Sequence, residues 1–161
     1  MKTKMPTIFL VEDDPFYLSI LQKSVTSAKV CQVSAYTTGE DCLNNIYKQP
    51  DIVVLDQNLE GNLSGLDVLK QIKGLNPDIQ VIFLSAQEKM NIAIQSLKYG
   101  AFDYVIKDEE ALLQVNKLIS KIIRFKNAAQ RNSLVRKVKA FMLPGAAAIV
   151  GGAVVVKYFL S

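Results

Sequence analysis

Short runs of consecutive apolar residues alternate along this chain with longer stretches in which apolar positions recur every three or four residues. Thr7 to Glu12 reads as a first strand. A helix over Pro15 to Ser27 follows, with Asp14 as its N-cap and Pro15 at the first helical position, where a missing N–H costs nothing. Val30 to Tyr36 reads as a second strand, and Thr38 caps a helix running to about Lys48. Ile52 to Asp56 is a third strand, Ser64 precedes a helix to about Leu75, and Gln80 to Ser85 is a fourth strand. A helix from about Lys89 to Tyr99 closes at Gly100, a fifth strand spans Asp103 to Ile106, and a long helix begins near Glu109. Five βα units in a row predict an α/β fold, a parallel sheet with helices on both faces. The unbroken apolar character of the third and fourth strands fits a sheet covered on both sides.

Two strands stop abruptly on acid. IFLVEDD ends in Glu12, Asp13 and Asp14, and IVVLDQN ends in Asp56 and Asn58. Side by side in a parallel sheet, these strands bring Glu12, Asp13 and Asp56 to the carboxyl edge, where this architecture binds ligands. Mutual repulsion there calls for a cation, and hard oxygen donors suit Mg²⁺. Asp14 reads instead as the helix cap. The fourth strand finishes at Ser85 and the fifth is followed by Lys107, so one hydroxyl and one ammonium join the three carboxylates.

Composition narrows the choice. With 161 residues, about half of them apolar, the chain holds one domain of roughly 100 to 150 residues plus an appendage. There is no histidine, which excludes a histidine general base, a phosphohistidine donor and the usual zinc sites. Cys31 and Cys42 read as ordinary core thiols, and the apolar run at the start is too short for a signal peptide, so a reducing cytoplasm is expected. Charge is sharply divided. Residues 1–110 carry ten Lys/Arg and all fifteen Asp/Glu, a net of −5, whereas residues 111–161 carry nine Lys/Arg and no acid, a net of +9. A basic tail of this kind points to an anionic surface.

Acid pair, acceptor aspartate, serine and lysine, in this order and each at a strand end, resemble the receiver domain of bacterial response regulators over about residues 6 to 126. SLKYGAFDYVIK closely follows the stretch usual before that family's lysine. The resemblance implies a doubly wound (βα)5 fold with strand order 2-1-3-4-5, of the flavodoxin-like kind found in chemotaxis regulators. It implies Asp56 as phosphoacceptor, with Glu12, Asp13, the Asp56 carboxylate and the backbone carbonyl of Asn58 holding Mg²⁺. Lys107 and Ser85 would meet phosphoryl oxygens, and Tyr104 would be the switch aromatic. Asn58 and Gln87 fall at positions that tune phosphoryl lifetime. The implied partners are a sensor histidine kinase or histidine phosphotransfer protein and a downstream protein effector. Such a domain is a signalling phosphoacceptor rather than an enzyme with a foreign substrate.

The chain departs from the family pattern in two places. Proline usually follows the lysine in a cis bond, but Asp108 stands here; a cis bond without proline costs roughly 3 to 4 kcal/mol, so either a trans bond with a re-aimed lysine or a strained cis bond is expected. The loop QNLEGNLSG lacks the usual proline, with Glu60 in its place, and sets Gly65 one residue late, which should alter loop shape more than chemistry. Haloacid-dehalogenase-type phosphohydrolases also use an aspartate after an apolar strand, but they place a second aspartate where this chain has Asn58. A docking module that no longer takes phosphate is a further alternative.

Beyond the receiver-like part, residues 127–139 read as a basic amphipathic helical stalk and residues 140–160 as a hydrophobic tail. Ala140 to Val156 carries no charge, and 17 residues are at the lower limit of a membrane helix. Arg131, Arg136, Lys137 and Lys139 precede it and mark a cytoplasmic side. The expectation is a cytoplasmic head anchored to the inner membrane, or else a soluble tail that buries its apolar run in a partner or a dimer. The 35 residues from Asn127 leave no room for a helix-turn-helix core, so direct nucleic-acid binding is not expected.

Overall fold

In a computed structural model the chain is described for residues 5–28, 31–86 and 90–141, excluding the side chains of residues 28 and 137–141. Five strands, β1 (Thr7–Val11), β2 (Gln32–Tyr36), β3 (Ile52–Asp56), β4 (Gln80–Ser85) and β5 (Asp103–Ile106), form one parallel sheet in the order 2-1-3-4-5. Between and after them run α1 (Pro15–Ala28), α2 (Gly39–Asn44), α3 (Gly65–Leu75), α4 (Met90–Lys98) and α5 (Ala111–Phe141). Of the described residues, those through Ile123 belong to one compact unit and those from Arg124 to another.

Alternation along the strands divides the core in two. Ile8, Leu10, Ile52, Val54, Ile82, Leu84 and Val105 face α1 and the first turns of α5. Phe9, Val11, Val53, Leu55, Val81 and Phe83 face the α2 and α3 side with Leu69 and Ile72. Both sets are almost wholly buried, which is why β3 and β4 read as unbroken apolar runs. Cys42 belongs to the second set and burial pushes its thiol up to about 12, while Cys31 is half-buried against the first; neither forms a disulfide. They are core thiols, as expected.

Helix ends follow local chemistry. Asp14 Oδ1 accepts from the backbone N–H groups of Phe16 (2.8 Å) and Tyr17 (3.3 Å), so the expected cap is in place. Ser64 and Asp67 form a reciprocal capping box on α3. Gly100 takes φ +93° just beyond α4, where a side chain would be strained.

Three boundaries differ from the sequence reading by two residues or more. The second strand begins at Gln32 rather than Val30, which lies outside the described residues. The second helix stops at Asn44, and a short 3-10 helix (Ile46–Lys48) ends on Gln49 at φ 51°, so the turn after Thr38 is broken before Lys48. An asparagine at position 45, whose side chain donates to Asp41 O, favours this early stop. The last helix starts at Ala111 rather than near Glu109. Lys89, the expected start of the fourth helix, is outside the described residues. The proposed stalk, residues 127–139, is helical within α5, whereas most of the apolar run lies outside the described residues. Among the described residues no helix is long and apolar enough to cross a membrane.

Candidate phosphoacceptor and metal site

Strand parity brings the charged residues together. Glu12 and Asp56 continue the positions of Leu10 and Val54, and Lys107 continues that of Val105, so all three emerge on the α1 side of the carboxyl edge. Lys107 Nζ lies 2.6 Å from Glu12 Oε2 and 2.9 Å from Asp56 Oδ1. Glu12 is 1 % and Asp56 2 % exposed, so these are buried ion pairs, little screened by water. Carboxylate oxygens of Glu12, Asp13 and Asp56 all fall within 4.8 Å of one another.

Of the two outcomes expected for the bond after the lysine, the trans bond is the one found. Among the described residues there is no cis peptide bond, so Lys107 is followed by a trans bond, yet its ammonium still reaches both acids. The backbone explains this: Lys107 N donates to Ser85 O (2.8 Å) and Asp108 N to Ile106 O (2.9 Å), pinning the segment against β4 without a proline.

Electrostatics in the cluster are opposed. Burial pushes the Glu12 carboxyl up to about 7, helped by the Asp56 charge and resisted by Lys107. Burial also raises Asp56, against the pull of Lys107 and of the backbone N–H groups of Gln57 and Asn58. For Lys107 burial works downward, but its two carboxylate partners outweigh it and its pKa lies above the usual lysine value. With three carboxylates and one ammonium, the cluster retains net negative charge. All-oxygen donors, close spacing and that residual charge fit Mg²⁺.

The β3–α3 loop is tied at both ends. Asn58 N donates to Asp56 Oδ2 (3.0 Å), orienting the carboxylate. Farther along, Asn62 N donates to Glu40 Oε1 (3.0 Å), and Thr38 and Glu60 form a parallel bridge, so α2 and its cap hold the lengthened loop. Gly65 N then returns to Gln57 O (2.9 Å). A Cβ on Gly65 would run into the backbone oxygen of Asp56 and the Cα of Gln57. Gly65→Ala should therefore displace the acceptor strand end and cost about 1 to 3 kcal/mol, read from the urea midpoint; an unchanged midpoint would show that the contact is not tight.

Ser85 is 3 % exposed at the end of β4. It pairs with Ile106 of β5, and its carbonyl accepts from the backbone N–H of Lys107 (2.8 Å). Tyr104 is half-buried on the α2 and α3 side, its ring stacked 6.3 Å from that of Phe83. Asn58 is exposed in the loop, and Gln87 lies outside the described residues. Sequence reasoning missed Tyr17, whose ring lies beneath the Lys107 ammonium, and Glu40, which holds the loop. Tyr17 had a usable signal in its place at the third helical position, four residues after Asp13, on the helix that covers the acidic face.

Residues 8–121 match the model of the response regulator receiver domain, and the chain belongs to that family. Regulatory protein LuxO of Vibrio cholerae is 30% identical over 122 residues, 73% of this chain and 26% of LuxO. The transcriptional regulatory protein CssR of Bacillus subtilis is 29% identical over 131 residues, 80% of this chain and 57% of CssR. The BeF3-activated receiver domain of DrrB superposes with a TM-score of 0.68 at 27% identity, covering 74% of this chain and 98% of that domain. The chain thus spans about a quarter of the LuxO proteins it resembles.

Proposed function

We propose that this chain is the phosphoacceptor component of a two-component phosphorelay, taking a phosphoryl group on Asp56. The observation that carries the reading is the Lys107 ammonium bridging Glu12 and Asp56 inside a cluster of three carboxylates. Asp56 attacks the phosphorus of a phosphohistidine on a sensor kinase or phosphotransfer protein. The new P–O bond forms as the P–N bond breaks, and the imidazole leaves with the electron pair and takes a proton from solvent. Glu12, Asp13, Asp56 and the Asn58 carbonyl would hold Mg²⁺, which would supply charge neutralisation for the transferring group. Lys107 then pairs with one phosphoryl oxygen and the Ser85 hydroxyl donates to another. Tyr104 reports the change to a protein effector, since contacts made only in the phosphorylated state bias a two-state equilibrium. Asn58 and Gln87 set how readily water reaches the acyl phosphate.

The test is to incubate the full chain with Mg²⁺ and a small acyl phosphate. Stoichiometric, base-labile labelling without sustained turnover is expected. Absence of label, or continuous hydrolysis of a phosphomonoester, would overturn the reading.

The receiver head works in the cytoplasm, tethered to the inner membrane by its C-terminal segment, and its output is protein contact rather than DNA binding. In favour stand the net +9 of residues 111–161, the uncharged run Ala140 to Val156, and basic residues just before it. Phe125, Leu134 and Val135 are exposed on α5 among arginines and lysines, a composition suited to a lipid interface. Sodium carbonate extraction of membranes from cells making the full chain should leave the protein in the pellet. Release into the supernatant would favour an apolar tail buried in a partner.

A further inference from the structure

The Lys107 ammonium lies 4.6 Å from the centroid of the Tyr17 ring, within the range of a cation–π contact. The ammonium is therefore held three ways, by Glu12 Oε2, by Asp56 Oδ1 and by an aromatic face. Two of these three holds compete with the metal. A divalent cation taken by Glu12, Asp13 and Asp56 would draw on the two carboxylates that pair with Lys107, and it would repel the ammonium as well. The ring alone is not a metal ligand.

Tyr17 is built to stay where it is. Asp14 accepts from its backbone N–H, Pro15 starts the helix, and the side chain is half-buried against the core face that carries Leu10 and Val54. Its hydroxyl is buried and has no hydrogen-bond partner among the described residues. A buried hydroxyl left without a partner costs stability, so the feature this position uses is the ring and not the oxygen.

We propose that Tyr17 is a positioning residue whose ring keeps the Lys107 ammonium beside the Asp56 carboxylate while a divalent cation engages Glu12 and Asp56. The proposal rests on the phosphoacceptor reading above. It explains how Lys107 serves the site across a trans bond to Asp108, with the backbone pinned by Ser85 O and the side chain tip held by the ring.

The test measures the rate at which the full chain is labelled by phosphoramidate at saturating Mg²⁺, with Mg²⁺ affinity measured separately by calorimetry. Tyr17→Leu and Tyr17→Met should each slow labelling about tenfold, the size of a largely desolvated cation–π contact, without weakening Mg²⁺ binding. Tyr17→Phe should stay within about twofold of the wild type and melt at the same temperature or higher. In a Lys107→Met background, Tyr17→Leu should have no further effect, because the two residues act as one unit. The proposal is overturned if the Leu and Met variants label at the wild-type rate, or if the Phe variant is as slow as they are. It is equally overturned if Leu costs the same in both lysine backgrounds, or if the loss follows weakened Mg²⁺ binding. A wild-type chain that takes no label at all would instead overturn the phosphoacceptor reading itself.

Discussion

Asp56→Asn should reduce covalent labelling by a small acyl phosphate to background and at the same time make the metal-free protein more stable. The two effects share one cause. Asp56 is 2 % exposed, and burial is the strongest influence on its carboxyl, pushing the pKa up; keeping it ionised costs folding energy. An amide of the same shape removes that charge and its repulsion of Glu12. Lys107 loses one partner but keeps Glu12 at 2.6 Å, so no buried ammonium is left unpaired. The expected gain is about 1 to 2 kcal/mol in urea without Mg²⁺, and Mg²⁺ should stabilise the variant much less than it stabilises the wild type. An amide has no anionic oxygen with which to attack phosphorus. Equal labelling of both proteins would sink the assignment of Asp56. A variant less stable than the wild type would show that the Lys107 pair outweighs the desolvation cost, and that the site is not under strain.

Much of this was legible in the sequence because the same residues serve fold and site. Apolar runs that stop on Glu12 and on Asp56 mark both strand ends and ligands, and the βα alternation leaves few places for those ends to meet. Asp14 and Ser64 announced their helices through caps whose chemistry is local. What was not legible depends on contacts between distant segments. Nothing near Asn44 requires the second helix to stop, since its pattern continues to Lys48; the break is a competition between the helix and local hydrogen bonds that propensity alone does not decide. The Lys107–Asp108 bond was ambiguous for the opposite reason. Proline absence speaks to the cost of a cis bond, not to where a flexible four-carbon side chain can reach. Tyr17 was overlooked because an aromatic near a helix start reads as core packing, and only the parity shared by Leu10, Val54 and Val105 shows that this helix lies over the charged side of the sheet edge.

That charged edge also dictates how stability should vary with pH. Glu12 has its carboxyl raised from 4.5 to about 7, with burial as the main cause, so the folded protein binds a proton that the unfolded chain would release above pH 4.5. The stabilisation from that proton is fully present below about pH 4.5 and is lost as pH rises through 7. Asp56 is shifted in the same direction and adds to the effect, whereas Lys107 is raised and contributes no titration in this window. For Glu12 alone the full span corresponds to roughly 3 kcal/mol, of which about 2 kcal/mol falls between pH 5.5 and pH 8.5, a melting point lower by roughly 6 °C at the upper end in the absence of metal. Ordinary surface carboxylates begin to protonate near the lower end, so the measurement belongs between pH 5.5 and 8.5. Mg²⁺ should reverse the trend. Ligation needs Glu12 ionised, so the metal stabilises more at pH 8.5 than at pH 5.5, and binding at pH 6.5 releases a proton that appears as a buffer-dependent heat. Glu12→Gln should flatten the metal-free profile and abolish the proton release. A metal-free melting point that is level or rises from pH 5.5 to 8.5 would mean that Lys107, not burial, governs Glu12, and that the cluster is neutralised before any cation arrives.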